Sequence, residues 1–280
     1  MKKIIKEIWR VICYPIIYIG SQFFVTFWVM VALVIMAITG IIDDPEIMES
    51  VLANNMALLL FISCAFTFLF VWLLLRKEWK QENFWRGSRL SGVTVILCVA
   101  LSFAIYFFIT GFTEITHLTE IFTDHDELME VILGHNILFE ILAIGLVGPF
   151  VEEIIFRGII LRRFLKTSMK IPLAICLQAL LFGVIHMNVL QGLYAFLIGV
   201  VFGLVYVWCD SIWLPVIMHS AFNLISVILS NLPEAAEWLG EMSNGAFAVM
   251  AIISIIVSAG LMYLIWERKT QRIVGSEPTN

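Results

Sequence analysis

The chain has 280 residues, of which 61% are hydrophobic and only 14% are charged. A soluble globular domain has about 45–50% apolar and about 25% charged residues, so this composition excludes a soluble globule and indicates a helical membrane protein. The formal net charge of −5 also argues against nucleic-acid binding, which needs a basic surface.

Eight segments are long and apolar enough to cross a bilayer as helices, which takes about 20 residues each. In chain order they lie at about 12–38, 51–75, 93–112, 131–151, 172–188, 190–208, 211–230 and 246–266. The fourth segment has a polar continuation to about residue 165. The sequence therefore predicts an all-α fold, a polytopic bundle of eight transmembrane helices that forms a single integral membrane domain over residues 1–280.

The distribution of charge predicts how this bundle is oriented. With eight crossings, the segments on the side of the amino terminus carry all 17 Lys and Arg residues. The loops on the opposite side carry none and are acidic, at 43–49, 114–130 and 234–241. Because cytoplasmic flanks of membrane helices carry an excess of Lys and Arg, both termini are predicted to be cytoplasmic.

Three groups of polar residues fall in or beside the predicted spans, where an ionisable side chain costs about 2.5–3.5 kcal/mol and usually marks function. They are Glu152-Glu153 with Arg157 at the inner end of the fourth span, Phe182 with His186 in the fifth, and His219 with Asn223 in the seventh. Each group alone has an ordinary explanation, such as a solvated helix end or a packed histidine. Their combination favours a functional site.

Helical spacing separates the two glutamates. Glu153 and Arg157 are i,i+4 neighbours and are expected to form an ion pair, which offsets part of their desolvation cost. Glu152 points about 100° away from Glu153, so it is left free to face a cavity. Gly148 lies one turn before Glu152 on nearly the same face and leaves room there.

His219 and Asn223 are also i,i+4 neighbours, so both project from one helix face and can offer N–H donors toward one point. Glu152 and His186 complete the parts needed to split an amide with water. One group takes the proton of the water, another orients it, and the donors stabilise charge on the carbonyl oxygen.

The predicted depths of these groups do not agree. At 1.5 Å per residue, Glu152 and His219 lie about 15 and 14 Å from the inner ends of their helices, whereas His186 lies about 24 Å from the start of its own. Either the fifth helix is tilted or displaced, or the role of His186 is wrong. On the sixth segment, Gly192, Gly199 and Gly203 form a stripe that allows a neighbouring helix to approach closely.

These motifs resemble the CPBP family, the CAAX proteases and bacteriocin-processing intramembrane endopeptidases that are also called the Abi family. The family pattern is E-E-x-x-x-R, then F-x-x-x-H, then H-x-x-x-N/D on successive core helices. This chain matches it in order with Glu152-Glu153-x-x-x-Arg157, Phe182-x-x-x-His186 and His219-x-x-x-Asn223. The resemblance implies that about residues 145–228 form the catalytic core helices.

The resemblance also implies a role for each catalytic residue. Glu152 would be the general base, and His186 would help to hold the water. His219 and Asn223 would form the oxyanion site.

Glu153, Arg157 and Phe182 would support the site structurally. We predict no cofactor and no catalytic metal, because the sequence contains no H-E-x-x-H and the His219 and Asn223 pair suits donors better than ligands. Members of the family have been described both as metalloproteases and as glutamate-type enzymes that need no metal. The alternative is therefore a zinc ion held by Glu152, His186 and His219.

The predicted function is an intramembrane endopeptidase in a prokaryotic cell membrane, with its active site near the cytoplasmic side. Its partners would be membrane lipid and a membrane-associated peptide or protein substrate, with no nucleic acid. Prenylated CAAX-type tails, leader peptides and bacteriocin-like peptides all fit the family. The alternatives are a non-enzymatic bacteriocin immunity or regulatory protein and, disfavoured by the lack of an inverted repeat, a small transporter.

Overall fold

A computed structural model of the chain describes residues 2–41, 44–81, 84–85 and 90–274. Among these residues the secondary structure is helical, with no strand. In chain order the helices are α1 (Lys2–Ile38), α2 (Pro45–Asn54), α3 (Met56–Gln81), α4 (Gly92–Ile115), α5 (Leu118–Ile121), α6 (Asp124–Ile132), α7 (Ile137–Leu165), α8 (Ile171–Val184), α9 (Val189–Cys209), α10 (Trp213–Ser230), α11 (Pro233–Gly240) and α12 (Asn244–Val274).

Six of the described helices are long and apolar enough to cross a membrane, namely α1, α3, α4, α9, α10 and α12. Helix α7 meets that test only together with α6, and the two are bent by 111°. Helix α8 has 14 residues, about 21 Å at 1.5 Å per residue, which is shorter than a hydrocarbon core of about 30 Å. The all-α class is confirmed, whereas eight spans and cytoplasmic termini stay predictions. Asp43, Arg86 and Arg89, which contribute to the predicted orientation, lie outside the described residues.

The fourth predicted segment, 131–151, is interrupted near its start. Gly134 adopts a positive φ of 84°, a conformation that glycine tolerates best. The Asn136 side chain then accepts the Phe139 N–H and caps the start of α7. Residues 131–132 therefore belong to α6, and α7 begins at Ile137.

The fifth predicted segment, 172–188, ends earlier than expected. Helix α8 stops at Val184, Met187 has a positive φ of 53°, and the Asn188 side chain caps α9 by accepting the Gln191 N–H at 2.9 Å. His186 lies in the turn between α8 and α9. The prediction that His186 belongs to the fifth helix is wrong, because the cap of α9 ends the helical run before it.

Helix α7 contains two π-helical segments, Ile141–Val147 and Ile154–Leu161, on either side of an α-helical stretch, Gly148–Glu153. In the first, the N–H of Gly148 bonds to the carbonyl of Ala143, five residues earlier. A Cβ at Gly148 would lie 2.7 Å from that carbonyl oxygen, so glycine fits this bond best. π segments of this kind are frequent at functional sites.

Helix α7 is the centre of the bundle and packs against α1, α3, α8 and α10, while α4 packs against α12 and α10. Helices α8 and α9 approach closely through glycines. A Cβ on Gly183 of α8 would lie 2.6 Å from the carbonyl oxygen of Gly192, and one on Gly199 or Gly203 would lie 3.0 or 3.1 Å from side chains of α8. The glycine stripe of the sixth segment thus lies at this contact.

Candidate active site

A cavity of about 320 Å³ lies against the middle of α7. Its wall includes Glu152, His186, His219, Asn223 and Phe182. The structure therefore brings together side chains from α7, α8, the turn after α8, and α10. Counting residues predicts that His186 lies at a different depth from Glu152 and His219. The three nevertheless line one cavity, because α8 is short and His186 lies beyond its end.

Glu152 is a nearly enclosed carboxylate in the wall of this cavity, with 9% of its surface exposed. Its Oε1 accepts a hydrogen bond of 2.5 Å from the hydroxyl of Tyr18 on α1. Its Oε2 lies 3.7 Å from Nε2 of His219. That separation is too long for a direct hydrogen bond, but one water or substrate oxygen can contact both atoms.

His219 is oriented by the second glutamate. Its Nδ1 lies 2.9 Å from Oε1 of Glu153, and Nη1 of Arg157 lies 2.7 Å from the same oxygen. Because a carboxylate only accepts hydrogen bonds, Nδ1 carries the hydrogen and Nε2 is directed to Glu152. Helical spacing predicts only the pair of Glu153 with Arg157, and the contact with His219 gives Glu153 a second, orienting role.

Arg157 is completely buried, and its charge is enclosed by several partners. The guanidinium carbon lies 4.7 Å from the centre of the Phe182 ring, and Nη2 donates to the carbonyl of Gly199 at 3.2 Å. The same carbonyl accepts Nε2 of Gln178 at 2.9 Å. Together with the ion pair to Glu153, these contacts offset the cost of burying a cation.

His186 is held by the backbone of α8. Its Nδ1 lies 2.8 Å from the carbonyl oxygen of Phe182. A carbonyl only accepts, so Nδ1 carries the hydrogen and Nε2 is an acceptor in the neutral ring. The Phe182 ring meets the rings of His186 and His219 edge-on, with centroids 5.0 and 5.6 Å apart, and so spaces the two imidazoles.

Asn223 joins α10 to the first π segment of α7. Its Nδ2 donates to the carbonyl of Ile144 at 2.8 Å. This carbonyl has no ordinary helical donor, because the N–H of Gly148 bonds to Ala143 and Pro149 has no N–H. One amide hydrogen of Asn223 is used in this way, and the amide carries a second one.

Comparison with known proteins identifies the part of the chain that holds these residues. Residues 134–225 match the family described as type II CAAX prenyl endopeptidase Rce1-like, and the match contains all three motifs from Glu152 to Asn223. The matched segment belongs to the CPBP family. The resemblance found in the sequence is therefore confirmed.

Two curated bacterial relatives also match. The membrane-embedded CAAX protease MroQ of Staphylococcus aureus (strain USA300) is 28% identical over 120 residues, which cover 41% of this chain and 49% of the relative. YdiL of Bacillus subtilis (strain 168), described as a candidate membrane peptidase, is 29% identical over 104 residues, 37% of this chain and 42% of the relative.

The chain thus spans about half the length of the curated relatives it matches. No solved structure matches it significantly. The apolar helices and the membrane-protein relatives together support a multi-pass integral membrane protein.

Two residues of the site, Tyr18 and Gln178, lie outside the CPBP motifs and were not predicted from the sequence. Tyr18 reaches Glu152 across 134 positions of sequence, and a tyrosine in an apolar span has no distinguishing signal. Gln178 is fully buried one turn before Phe182. Its only signal is that it is an uncharged polar residue inside the apolar fifth segment.

The zinc alternative for this CPBP site does not fit the observed geometry. The described residues contain no group of three or more His, Cys, Asp or Glu side chains arranged to hold a metal ion. Glu152, His186 and His219 line one cavity but do not form such a group. That the reaction needs no metal stays a prediction, which removal of metal ions can test.

Proposed function

We propose that this CPBP-family protein is an intramembrane endopeptidase that hydrolyses a peptide bond by direct attack of water, without an acyl-enzyme. The observation that carries this proposal is the approach of Oε2 of Glu152 to Nε2 of His219, 3.7 Å apart in the wall of a cavity. A base and a second polar group beside one cavity are what activation of a water molecule requires.

Glu152 is the proposed general base. Tyr18 holds Oε1, which leaves Oε2 to take a proton from the water while the water oxygen attacks the carbonyl carbon of the substrate. Nε2 of His186 is the acceptor that the bond from Nδ1 to Phe182 leaves available. It accepts the second hydrogen of the water and so orients the attack.

His219 and Asn223 are the proposed donors to the oxyanion that forms on the substrate carbonyl. Asn223 supplies the amide hydrogen that Ile144 does not use. Because Nδ1 of His219 donates to Glu153, Nε2 donates only when the ring is an imidazolium. The proposal therefore requires His219 to be protonated when the oxyanion forms.

Collapse of the tetrahedral intermediate completes the reaction. Glu152 returns its proton to the amide nitrogen, the carbon–nitrogen bond breaks, and the products are an amine and a carboxylic acid that keeps the second hydrogen of the water. Glu152 thus acts first as base and then as acid, and the carboxylate ends in its starting form.

The proposed substrate is a membrane-associated peptide or a flexible segment of a membrane protein. A cavity of about 320 Å³ holds a short stretch of extended chain and excludes a folded domain. Prenylated CAAX-type tails, which the matching family is named for, leader peptides and bacteriocin-like peptides all have such segments.

Peptide mass spectrometry of membranes tests the proposal, with cells carrying the intact chain compared with cells carrying Glu152→Gln. Glutamine keeps an acceptor for Tyr18 but cannot take a proton, so cleavage products are expected to disappear. Glu237→Gln, at an exposed carboxylate on α11, is the matched control and is expected to retain them.

Normal turnover by a Glu152→Gln chain present at the wild-type level would refute the mechanism. If that variant still protected cells against a bacteriocin-like peptide without cleaving it, the non-enzymatic immunity function would be the better account.

A further inference from the structure

The cavity beside Glu152 extends toward one end of the bundle. Helices α3, α7 and α9 begin at this end and line the cavity with residues in the ranges 60–64, 143–152 and 191–198, none far beyond the helix midpoints. Helices α8 and α10 end there and contribute Phe182 and residues in the range 219–226. Glu152 therefore lies at the floor of the cavity, and the buried pair of Glu153 and Arg157 follows it in α7 outside the lining.

The end toward which the cavity extends is the acidic end. The basic residues of 76–80 and 162–170 lie at the opposite ends of α3 and α7. The connections at the cavity end, residues 41–56, 115–137 and 230–244, contain no Lys or Arg in the sequence. By the rule that positive charge stays inside, this end faces away from the cytoplasm.

Helix α6 covers this end of the cavity. Leu128, Met129 and Ile132 on one of its faces line the cavity. Its other side carries exposed carboxylates at Asp126, Glu127 and Glu130. The helix is therefore amphipathic, with its apolar face over the cavity and its acidic face outward.

Two contacts hold α6 in place. Nδ2 of Asn188, in the turn after His186, donates to Oδ2 of Asp124 at 3.0 Å. The ring of His125 meets the ring of Tyr194 edge-on, with centroids 5.8 Å apart. Both contacts join α6 to the start of α9, so the edge of the cavity is formed by α6 and the turn that carries His186.

We propose that the peptide substrate enters from the acidic end, between α6 and the His186 turn. This inference rests on the proposed function and specifies its substrate class, a cationic peptide with an apolar segment. The apolar residues pack against Leu128, Met129 and Ile132, and a neighbouring Lys or Arg faces the outer carboxylates of α6. A cleft rimmed by one sign of charge concentrates ligands of the opposite sign.

The proposal places substrate entry on the side opposite to the one that the sequence analysis expects. The predicted location of the site near the cytoplasmic side rests on its distance from the basic ends of the helices. In the structure, the cavity extends from Glu152 toward α6. The residues of α7 that line it are Glu152 and residues that precede it in the chain, on the side of the acidic end. The catalytic carboxylate thus lies deep in the bundle and is approached from outside.

Cysteine labelling of the full-length chain tests the side of entry without any assay of activity. The five native cysteines are replaced, and single cysteines are introduced as Met129→Cys in the cavity, Glu237→Cys at the acidic end and Lys170→Cys at the basic end. In intact cells, a membrane-impermeant maleimide is expected to label positions 237 and 129 but not 170. Labelling of 170 in place of 129 and 237 would overturn the proposal.

Protection from labelling tests the substrate class. Two synthetic peptides share one apolar sequence, flanked in one by lysines and in the other by glutamates, and each is added to a Met129→Cys chain that also carries Glu152→Gln. The lysine peptide is expected to slow labelling of position 129 at least tenfold, and the glutamate peptide is expected to leave it unchanged.

Failure of the proposed entry route and failure of the proposed endopeptidase function give different results. If the lysine peptide gives no protection, the entry route is wrong, whether or not the intact chain cleaves that peptide. If the lysine peptide protects position 129 but the intact chain cleaves neither peptide, the route stands and the proposed endopeptidase function fails. Equal protection by both peptides would refute the preference for cationic substrates.

Discussion

The hydroxyl of Tyr18 donates a 2.5 Å hydrogen bond to Oε1 of Glu152 and so joins α1 to the middle of α7. Oε2 of the same carboxylate remains at the cavity, 3.7 Å from Nε2 of His219. A carboxylate held by one oxygen loses rotational freedom, so its second oxygen is presented in a fixed direction. Tyr18 is therefore a positioning residue for the proposed base.

Tyr18→Phe is expected to lower kcat about 10- to 100-fold with little change in KM. A hydrogen bond to a charged group contributes about 1.5–3 kcal/mol, and about 1.36 kcal/mol corresponds to a tenfold change in rate. Tyr14→Phe, at a buried tyrosine one turn earlier in α1, is the control and should leave both constants unchanged. Equal kcat values for the two variants would remove Tyr18 from the mechanism.

Glu153→Gln is expected to destabilise the fold far more than Glu152→Gln. Glu153 is the carboxylate partner of Arg157, and both side chains are fully buried. Removing one member of a buried ion pair leaves an uncompensated charge and costs about 3–5 kcal/mol. Thermal unfolding of the purified chain in detergent, followed by tryptophan fluorescence, measures the difference, and similar midpoints for both variants would contradict this assignment.

Contacts within one helix were predictable from sequence because the two residues are separated by a fixed helical spacing. Glu153 and Arg157 illustrate this, since the i,i+4 spacing suffices to place them together. The contact between Glu153 and His219 was not predictable, because it depends on how α7 and α10 pack. The same holds for Tyr18, which no local pattern connects to Glu152.

The end of α8 illustrates a second limit of the sequence. Residues 171–187 are apolar almost throughout, so hydropathy alone extends the helix past His186. The observed end depends on the cap that Asn188 provides to α9 and on the close approach of Gly183 to Gly192. Both depend on the partner helix, which a single segment of sequence does not reveal.

Gly183→Ala is expected to lower stability and cleavage together, whereas Gly260→Ala is expected to be harmless. A Cβ at Gly183 would lie 2.6 Å from the backbone oxygen of Gly192, so α8 and α9 must separate and the His186 turn must move. Overpacking of this kind costs about 1–3 kcal/mol. Gly260 of α12 has open space around its Cβ position. Unfolding midpoints and initial rates of the two variants provide the measurement, and matching values would argue against a close contact.

Cleavage is expected to survive removal of divalent metal ions. The proposed base is a carboxylate that acts directly on water, and Glu152, His186 and His219 are not arranged as a set of metal ligands among the described residues. The purified chain is treated with a chelator, its metal content is measured by mass spectrometry, and its rate on a fluorogenic peptide is compared before and after. Loss of activity that zinc restores would replace the glutamate mechanism with a metal-dependent one.

Asn223→Ala and Asn231→Ala separate the structural from the catalytic role of Asn223. Each asparagine donates a partly buried hydrogen bond to α7, from Asn223 to the carbonyl of Ile144 at 2.8 Å and from Asn231 to Oε2 of Glu140 at 2.7 Å, and Asn231 also donates to the carbonyl of Val227 at 2.9 Å. Both variants are therefore expected to lose about 1–3 kcal/mol of stability. Only Asn223 lines the cavity, so only its loss should lower kcat, by about 100- to 1000-fold, as for other oxyanion donors. The kcat and the unfolding midpoint of each variant are measured. If the two variants lose kcat to the same extent, Asn223 supports α7 without contacting the reacting carbonyl.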